Sequence, residues 1–430
     1  MRIAVVGLWH LGSVIAGCLA AAGFDVLGYD ADSSVVHGLS EGRPPLFEPG
    51  LQDAIRSGLS SGKLRFTTRA DDLRTAELVW VAHDTPVDDE DRADVELVMR
   101  QVIELFPALD DEVLVLISSQ LPVGSTRRLE EEYRNTLPQG HASFAYSPEN
   151  LRLGSAIEAF TKADRIVVGV RSEADRQRLG PVFRRFSERI EWMGVESAEM
   201  TKHAINAFLA TSVAFINEIA GLCERVGADA REVERGLKTE GRIGPRARLK
   251  PGAAFAGGTL ARDVAFLEDI GKSTGRPTNL VSSIRISNDS HKGWSRHRLV
   301  EALGTVRAKR VAVLGLTYKA GTDTLRRSSA LELCRWLLTE GAQVTAFDPA
   351  VHDGTNPALA GIDLAPSVES ALDGAAAAVI ATEWPEFATL DASLFVSRLS
   401  APATVLDPNG QLEKTLGSDA RVRYLTVGKP

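Results

Sequence analysis

The sequence predicts an α/β protein: two Rossmann-like, doubly wound domains joined by a central helical domain with one long helix. Three observations predict it. The stretches RIAVVGLWHLGSVIAGCLAAAGFDVLGYDAD (2–32) and RVAVLGLTYKAGTDTLRRSSALELCRWLLTEGAQVTAFDPA (310–350) share one plan: apolar strand, glycine turn, helix, glycine, second strand ending in an acid. Each reads as the opening of a βαβ unit. Between them, 196–226 has no internal proline, one glycine and apolar residues at helical spacing on much of its surface. The length of 430 residues exceeds what one hydrophobic core usually supports.

In chain order, a strand from residue 2 leads into the turn at Gly7 and then a helix, and the following strand ends at Asp30. The expected domains are a Rossmann domain over 1–195, a central helical domain over 196–295, and a second α/β domain over 296–430. Phe208, Leu209, Val213, Phe215 and Ile216 give the central helix more apolar surface than one core-facing stripe needs, so a homodimer is expected. Helical patterns continue to about 295, and the strand at 310–315 opens the last domain. In open parallel sheets, ligands bind beyond the carboxyl ends of the strands.

Composition narrows the partners. Hydrophobic residues at 44% and charged residues at 25% are ordinary globular values, and apolar runs such as VLVLI (113–117) are too short to span a bilayer. A soluble, cytoplasmic protein with no membrane segment is expected. Cys18, Cys223 and Cys334 sit in apolar helical patterns without metal-ligand spacing, so they read as core thiols and no metal site is expected. The net charge of −8 argues against nucleic acid as a partner. An anionic ligand must then be met locally, and Arg242, Arg246, Arg248 and Lys250 form a cationic segment suited to a diphosphate.

The first turn carries Gly7 and Gly12 at the outer positions of G-x-G-x-x-G, and Asp30 lies about where a ribose-binding acid belongs. The middle position is Trp9. Glycine there lets backbone amides approach a pyrophosphate, so the indole either swings away or fills the phosphate's space.

The segments EGRPPLFEPGL (41–51), DTPVDDEDRADVELV (84–98), LPVGST (121–126), SPENLRLG (147–154), KHAINAFLATSVAFINEI (202–219), RIG (242–244), AFAGGTLARD (254–263), GLTYKAGTDTLR (315–326) and TEWPEF (382–387) occur in this order. Together they resemble the UDP-glucose and GDP-mannose 6-dehydrogenase family. That resemblance implies NAD as cofactor, with Gly7, Trp9, Gly12, Asp30, Thr85 and Arg326 at its site. It also implies a nucleotide-diphosphate sugar as substrate, oxidised from C6 alcohol to carboxylate in two hydride transfers.

In the family's loop G-F-G-G-S-C-F-x-K-D the cysteine is the nucleophile, and aligning Asp263 with the final Asp puts Thr259 in its place. A threonine hydroxyl ionises far less readily than a thiol. Lys202 and Asn206 match the family's lysine and asparagine beside the reacting carbon and, four apart, share a helix face. Asp263 matches the acid that works with that lysine through a water, and Glu149 the glutamate that assists thioester hydrolysis. Gln120, after Ser118 and Ser119, falls on the family's catalytic threonine. The resemblance further places Leu151, Arg242, Lys250, Phe255, Gly257 and Lys319, beside Glu149, Lys202 and Asn206, around the sugar nucleotide; Arg242 would reach the partner's site across a dimer. Three functions stay open: an oxidoreductase that transfers one hydride or performs an internal redox step, a dehydrogenase giving the uronic acid without a thioester, and a catalytically silent sugar-nucleotide binder.

Overall fold

The computed structural model describes all residues except 89–91, 150, 152, 153 and 257. The chain divides into two compact units, Met1–Ala204 and Ile205–Pro430. The division falls inside the long central helix, Val195–Val226.

The first unit is an eight-stranded sheet. Its strands are β1 (Arg2–Val6), β2 (Asp25–Tyr29), β3 (Leu64–Thr67), β4 (Leu78–Val81), β5 (Leu114–Ile117), β6 (Ser143–Tyr146), β7 (Ile166–Gly169) and β8 (Ile190–Met193). They lie in the order β3-β2-β1-β4-β5-β6-β7-β8, parallel except where β7 meets β6. Continuous apolar runs such as LVWV and LVLI form the middle strands because both faces are covered, and every residue of β4 and β5 is buried. The strand order reverses between β1 and β4, and that switch point is where an open α/β sheet presents its crevice.

The second unit contains β9 (Arg310–Leu314), β10 (Gln343–Phe347), β11 (Ile362–Leu364), β12 (Ala377–Ile380), β13 (Ala403–Leu406) and β14 (Val422–Leu425). Their order, β11-β10-β9-β12-β13-β14, repeats the plan of the first six strands, with every pairing parallel. The echo between 2–32 and 310–350 is therefore an echo of topology. Helices Ala230–Thr239, Thr259–Thr274, Asn279–Lys292 and Trp294–Leu303 precede this sheet.

The central helix bears on two expectations. By length and composition its 32 residues could cross a bilayer, which no short apolar run in the sequence signalled. Glu199, Lys202, His203, Asn206 and Asn217 punctuate it, however, and all are buried and hydrogen-bonded within the protein, as in a core helix. Ile216 does not belong to an outward face: it is fully buried, whereas beyond the exposed Met200 the exposed large apolar residues of this helix are Phe208, Phe215, Leu222 and Val226. These four recur at seven- and four-residue intervals, which is one stripe of a helix surface. All three cysteines are free and buried.

Candidate active site

The glycine turn after β1 is shaped by close approach. Gly7 has φ of +85°, and a Cβ there would meet His83 Nδ1 at 2.6 Å and the His83 backbone nitrogen at 2.8 Å. A Cβ on Gly12 would run into the carbonyl of Gly7, so this glycine lets the first helix, His10–Ala21, pack against its own turn. Asp30 accepts from the amide of Leu8 at 2.7 Å and from that of Asp32 at 2.9 Å, fixing the turn to the end of β2 while remaining partly exposed. Trp9 is the residue before the first helix and is 47% exposed, so its indole is not packed into the sheet. The turn thus retains the shape a dinucleotide requires.

The remaining candidate groups of the first unit sit at the ends of β4, β5 and β6. Gln120 is buried three residues beyond β5, and its carbonyl accepts from Thr85 Oγ1 at 2.8 Å. Lys202 is only 5% exposed; its Nζ donates to the carbonyl of Glu149 and lies 3.4 Å from Glu149 Oε1. Glu149 Oε2 accepts from the amide of Leu151 at 2.8 Å, so one side chain orders both the lysine and the loop after β6. Two carboxylates missed in the sequence reading hold neighbouring loops. Glu199 accepts from the amides of Gly124 and Thr126, and Glu48 from those of Gly154 and Ala156 and from His10.

In the second unit Asn206 donates its side-chain amide to the fully buried Asp263 carboxylate. Asp263 lies one turn into the helix Thr259–Thr274, and Thr259 is that helix's first residue, exposed to solvent. Gly258, with φ of +105°, allows the chain to enter this helix; the Arg327 guanidinium lies 3.3 Å from where its Cβ would be. Gly257 lies outside the described residues. The loop before it is gripped by distant side chains. Asn288 accepts from Phe255 N at 3.0 Å and donates to Phe255 O at 2.8 Å. Asn217 accepts from Gly252 N, Asn409 accepts from Ala253 N, and His291 meets Gly252 O at 2.8 Å. Burial holds the His291 imidazole below its ordinary pKa, so a neutral ring donates to that carbonyl through Nε2.

The cationic residues are on the surface. Arg242 is paired with Glu240 at 2.9 Å and Lys250 with Glu383 at 3.6 Å, while Arg246, Arg248, Lys319 and Arg326 are exposed. No three His, Cys, Asp or Glu side chains among the described residues are grouped so as to hold a metal ion.

A sheet of Rossmann order with its glycine turn, followed by helices and a second sheet of the same order, marks a dinucleotide-binding α/β protein of two units. Residues 1–187 match the NAD binding domain of the UDP-glucose/GDP-mannose dehydrogenase family, residues 196–290 its central domain, and residues 312–414 its UDP binding domain. The chain belongs to this family and is an NAD-dependent nucleotide-sugar dehydrogenase. It is 35% identical to the UDP-glucose 6-dehydrogenase of Rhizobium meliloti (strain 1021) over 441 aligned positions that cover all of both chains. It is 34% identical to the UDP-glucose 6-dehydrogenase of Pseudomonas aeruginosa, covering all of this chain and 98% of that one. Among solved structures, a UDP-glucose dehydrogenase from Pyrobaculum islandicum superposes with a TM-score of 0.87 at 29% identity, covering all of this chain and 98% of the other.

Proposed function

We propose that this dehydrogenase moves a single hydride, or removes and returns one, on a nucleotide-activated sugar, because Thr259 stands where the family's nucleophilic cysteine would be. One observation carries the reading. Position 259 is an exposed hydroxyl at the start of the helix that holds Asp263, and the chain's three thiols are buried elsewhere. A threonine there needs a dedicated base to attack an aldehyde, and this reading assigns the acid nearest in sequence, Asp263, to the proton of the C6 hydroxyl instead.

The roles follow from what each group can do. Bound NAD supplies the hydride acceptor. Lys202, buried and ordered by Glu149, stabilises the alkoxide formed as the C6 hydroxyl loses its proton. Asp263 receives that proton through a water, and Asn206 orients its carboxylate. Gln120 borders the sugar where the family has threonine. Gly7, Gly12, Asp30, Thr85 and Arg326 hold the cofactor, and Leu151, Phe255, Gly257, Lys250 and Lys319 hold the sugar nucleotide. Arg242 completes a partner's site in a homodimer formed through the Phe208–Phe215–Leu222 stripe. This reading divides the chain at 195/196 and 295/296, supported by the three matched ranges. A cytoplasmic setting suits three unpaired thiols.

The full-length relatives named as UDP-glucose 6-dehydrogenases favour a second reading, in which the hydrated aldehyde gives up a second hydride with Glu149 or Asp263 activating water. Incubation with NAD and a panel of nucleotide sugars, followed by nicotinamide absorbance and product mass, separates the two. At most one NADH per sugar, with an aldehyde, hydrate or isomer as product, is expected. Two NADH and a uronic acid would overturn the single-hydride reading.

A further inference from the structure

The switch point of the first sheet holds a residue that no part of the function above uses. β1 and β4 are neighbours in register through Val6 and Val81, and β4 runs on through Ala82 to His83, two residues past its carboxyl end. There His83 faces Gly7: its backbone and Nδ1 occupy the space a side chain at position 7 would take. Its other ring nitrogen, Nε2, is buried and has no hydrogen-bond partner. The second sheet shows what a closed version of this position looks like. Gly315 is covered in the same way by Thr382, two residues past the end of β12, but Thr382 Oγ1 donates to Thr317 O at 2.8 Å and is satisfied. One of two matching positions is thus complete, and the other carries an unmet nitrogen beside the dinucleotide turn.

We propose that His83 is a cofactor-binding residue, which turns its unpartnered Nε2 to the adenosine ribose–phosphate half of NAD as the dinucleotide enters the crevice between β1 and β4. Three features select this occupant. The crevice outside the switch point is where a dinucleotide lies. Asp30, the candidate ribose acid, is near enough to act on the imidazole electrostatically. Trp9 places a side chain where glycine would let a backbone amide approach the phosphates, and His83 offers a polar group from the facing wall. Burial lowers the imidazole pKa, so the ring enters the contact neutral, with one N–H to donate and one lone pair to accept. An unmet buried nitrogen is unfavourable in the ligand-free protein, and rotation toward a ribose hydroxyl or phosphate oxygen removes that cost.

The inference rests on NAD binding at this turn, and titration calorimetry on the full chain with NAD, ADP-ribose and UDP-glucose as probes tests both. His83→Val is expected to weaken NAD and ADP-ribose alike by about three- to tenfold, the worth of one hydrogen bond, and to leave UDP-glucose affinity unchanged. His83→Gln, which keeps a side-chain N–H, is expected to recover part of the loss. Unchanged ADP-ribose affinity in His83→Val would overturn the proposal, as would an equal loss for UDP-glucose, which would mark a merely structural role. Absence of NAD binding by the unmutated protein would overturn the cofactor reading itself. Should His83→Val not fold, nitrogen NMR of the unmutated protein decides: a shift of the His83 Nε2 resonance on adding ADP-ribose supports the contact, and an unmoved resonance overturns it.

Discussion

Trp384 donates its indole N–H to Asp348 at 3.0 Å, and that bond separates two turns which read alike in sequence. Asp348 also accepts from the amides of Leu316 and Thr317 and from the Thr317 hydroxyl, and is only 1% exposed. Asp30, its counterpart after β2, accepts from Leu8 and Asp32 and keeps part of its surface in solvent. Thr85, four residues past β4 as Trp384 is past β12, bonds to Gln120 instead. The second turn is saturated by its own side chains. The first has acceptor capacity left for a ribose.

One NAD per chain is therefore expected by calorimetry. Trp384→Phe should leave that stoichiometry unchanged while lowering the thermal midpoint by about 2–4 °C, the effect of losing roughly 1 kcal/mol in a unit of this size. Asp30→Ala should abolish detectable NAD binding.

Trp9→Gly should tighten NAD binding, since a glycine lets the backbone come nearer to the phosphates. Calorimetry at matched ionic strength reads this directly. An unchanged affinity would mean that the half-exposed indole already stands clear of the ligand.

Asp263→Asn keeps the shape of the buried pair but removes the carboxylate proposed as proton acceptor. Its kcat should fall by about a hundredfold or more, with nucleotide-sugar affinity little changed, in steady-state and binding measurements run side by side. A fall confined to KM would place Asp263 in binding instead.

Thiol chemistry gives an independent view of position 259. Burial pushes the Cys18 and Cys334 thiols up to about 12, so the folded protein should react slowly with a disulfide reagent at pH 8. Thr259→Cys places one exposed thiol at a helix N-terminus, where the dipole favours thiolate, and should add one fast-reacting equivalent. The same variant, given NAD and a nucleotide sugar, should form a trapped thioester or slowly release carboxylate, seen by intact-protein mass.

Phe208→Glu combined with Phe215→Glu should convert a dimer to a monomer by light scattering, because both rings are exposed on one stripe of the central helix. A monomeric unmutated protein would remove the dimer from the account.

Much of the fold was readable because its signals are local. A buried strand flanked by a glycine turn is visible within a dozen residues, and both Rossmann openings and the long helix emerge from such windows. Which way a side chain faces is not local. Ile216 and Phe215 are adjacent apolar residues, and only the packed structure buries the first and exposes the second. The candidate catalytic residues could be placed by resemblance, yet their supports could not. Asn288 and Asn409 reach the 251–256 loop from 33 and 156 residues away, and nothing in their own neighbourhoods marks them. His83 was overlooked for the same reason: after an apolar strand, a histidine reads alike whether or not its nitrogen is satisfied.

The grip on that loop separates course from content. Asn217, Asn288, Asn409 and His291 hold Gly252, Ala253 and Phe255 only by main-chain amides and carbonyls. Of the loop's own residues, Phe255 packs on the cluster of Val264 and Ile284 and Gly252 leaves room for Asn409, whereas the exposed Ala253 adds no such support, so selection can exchange a side chain there without redrawing the path. A scaffold of this kind is an evolutionary hinge: the residue at the head of the following helix can change its chemistry while the approach to it stays fixed.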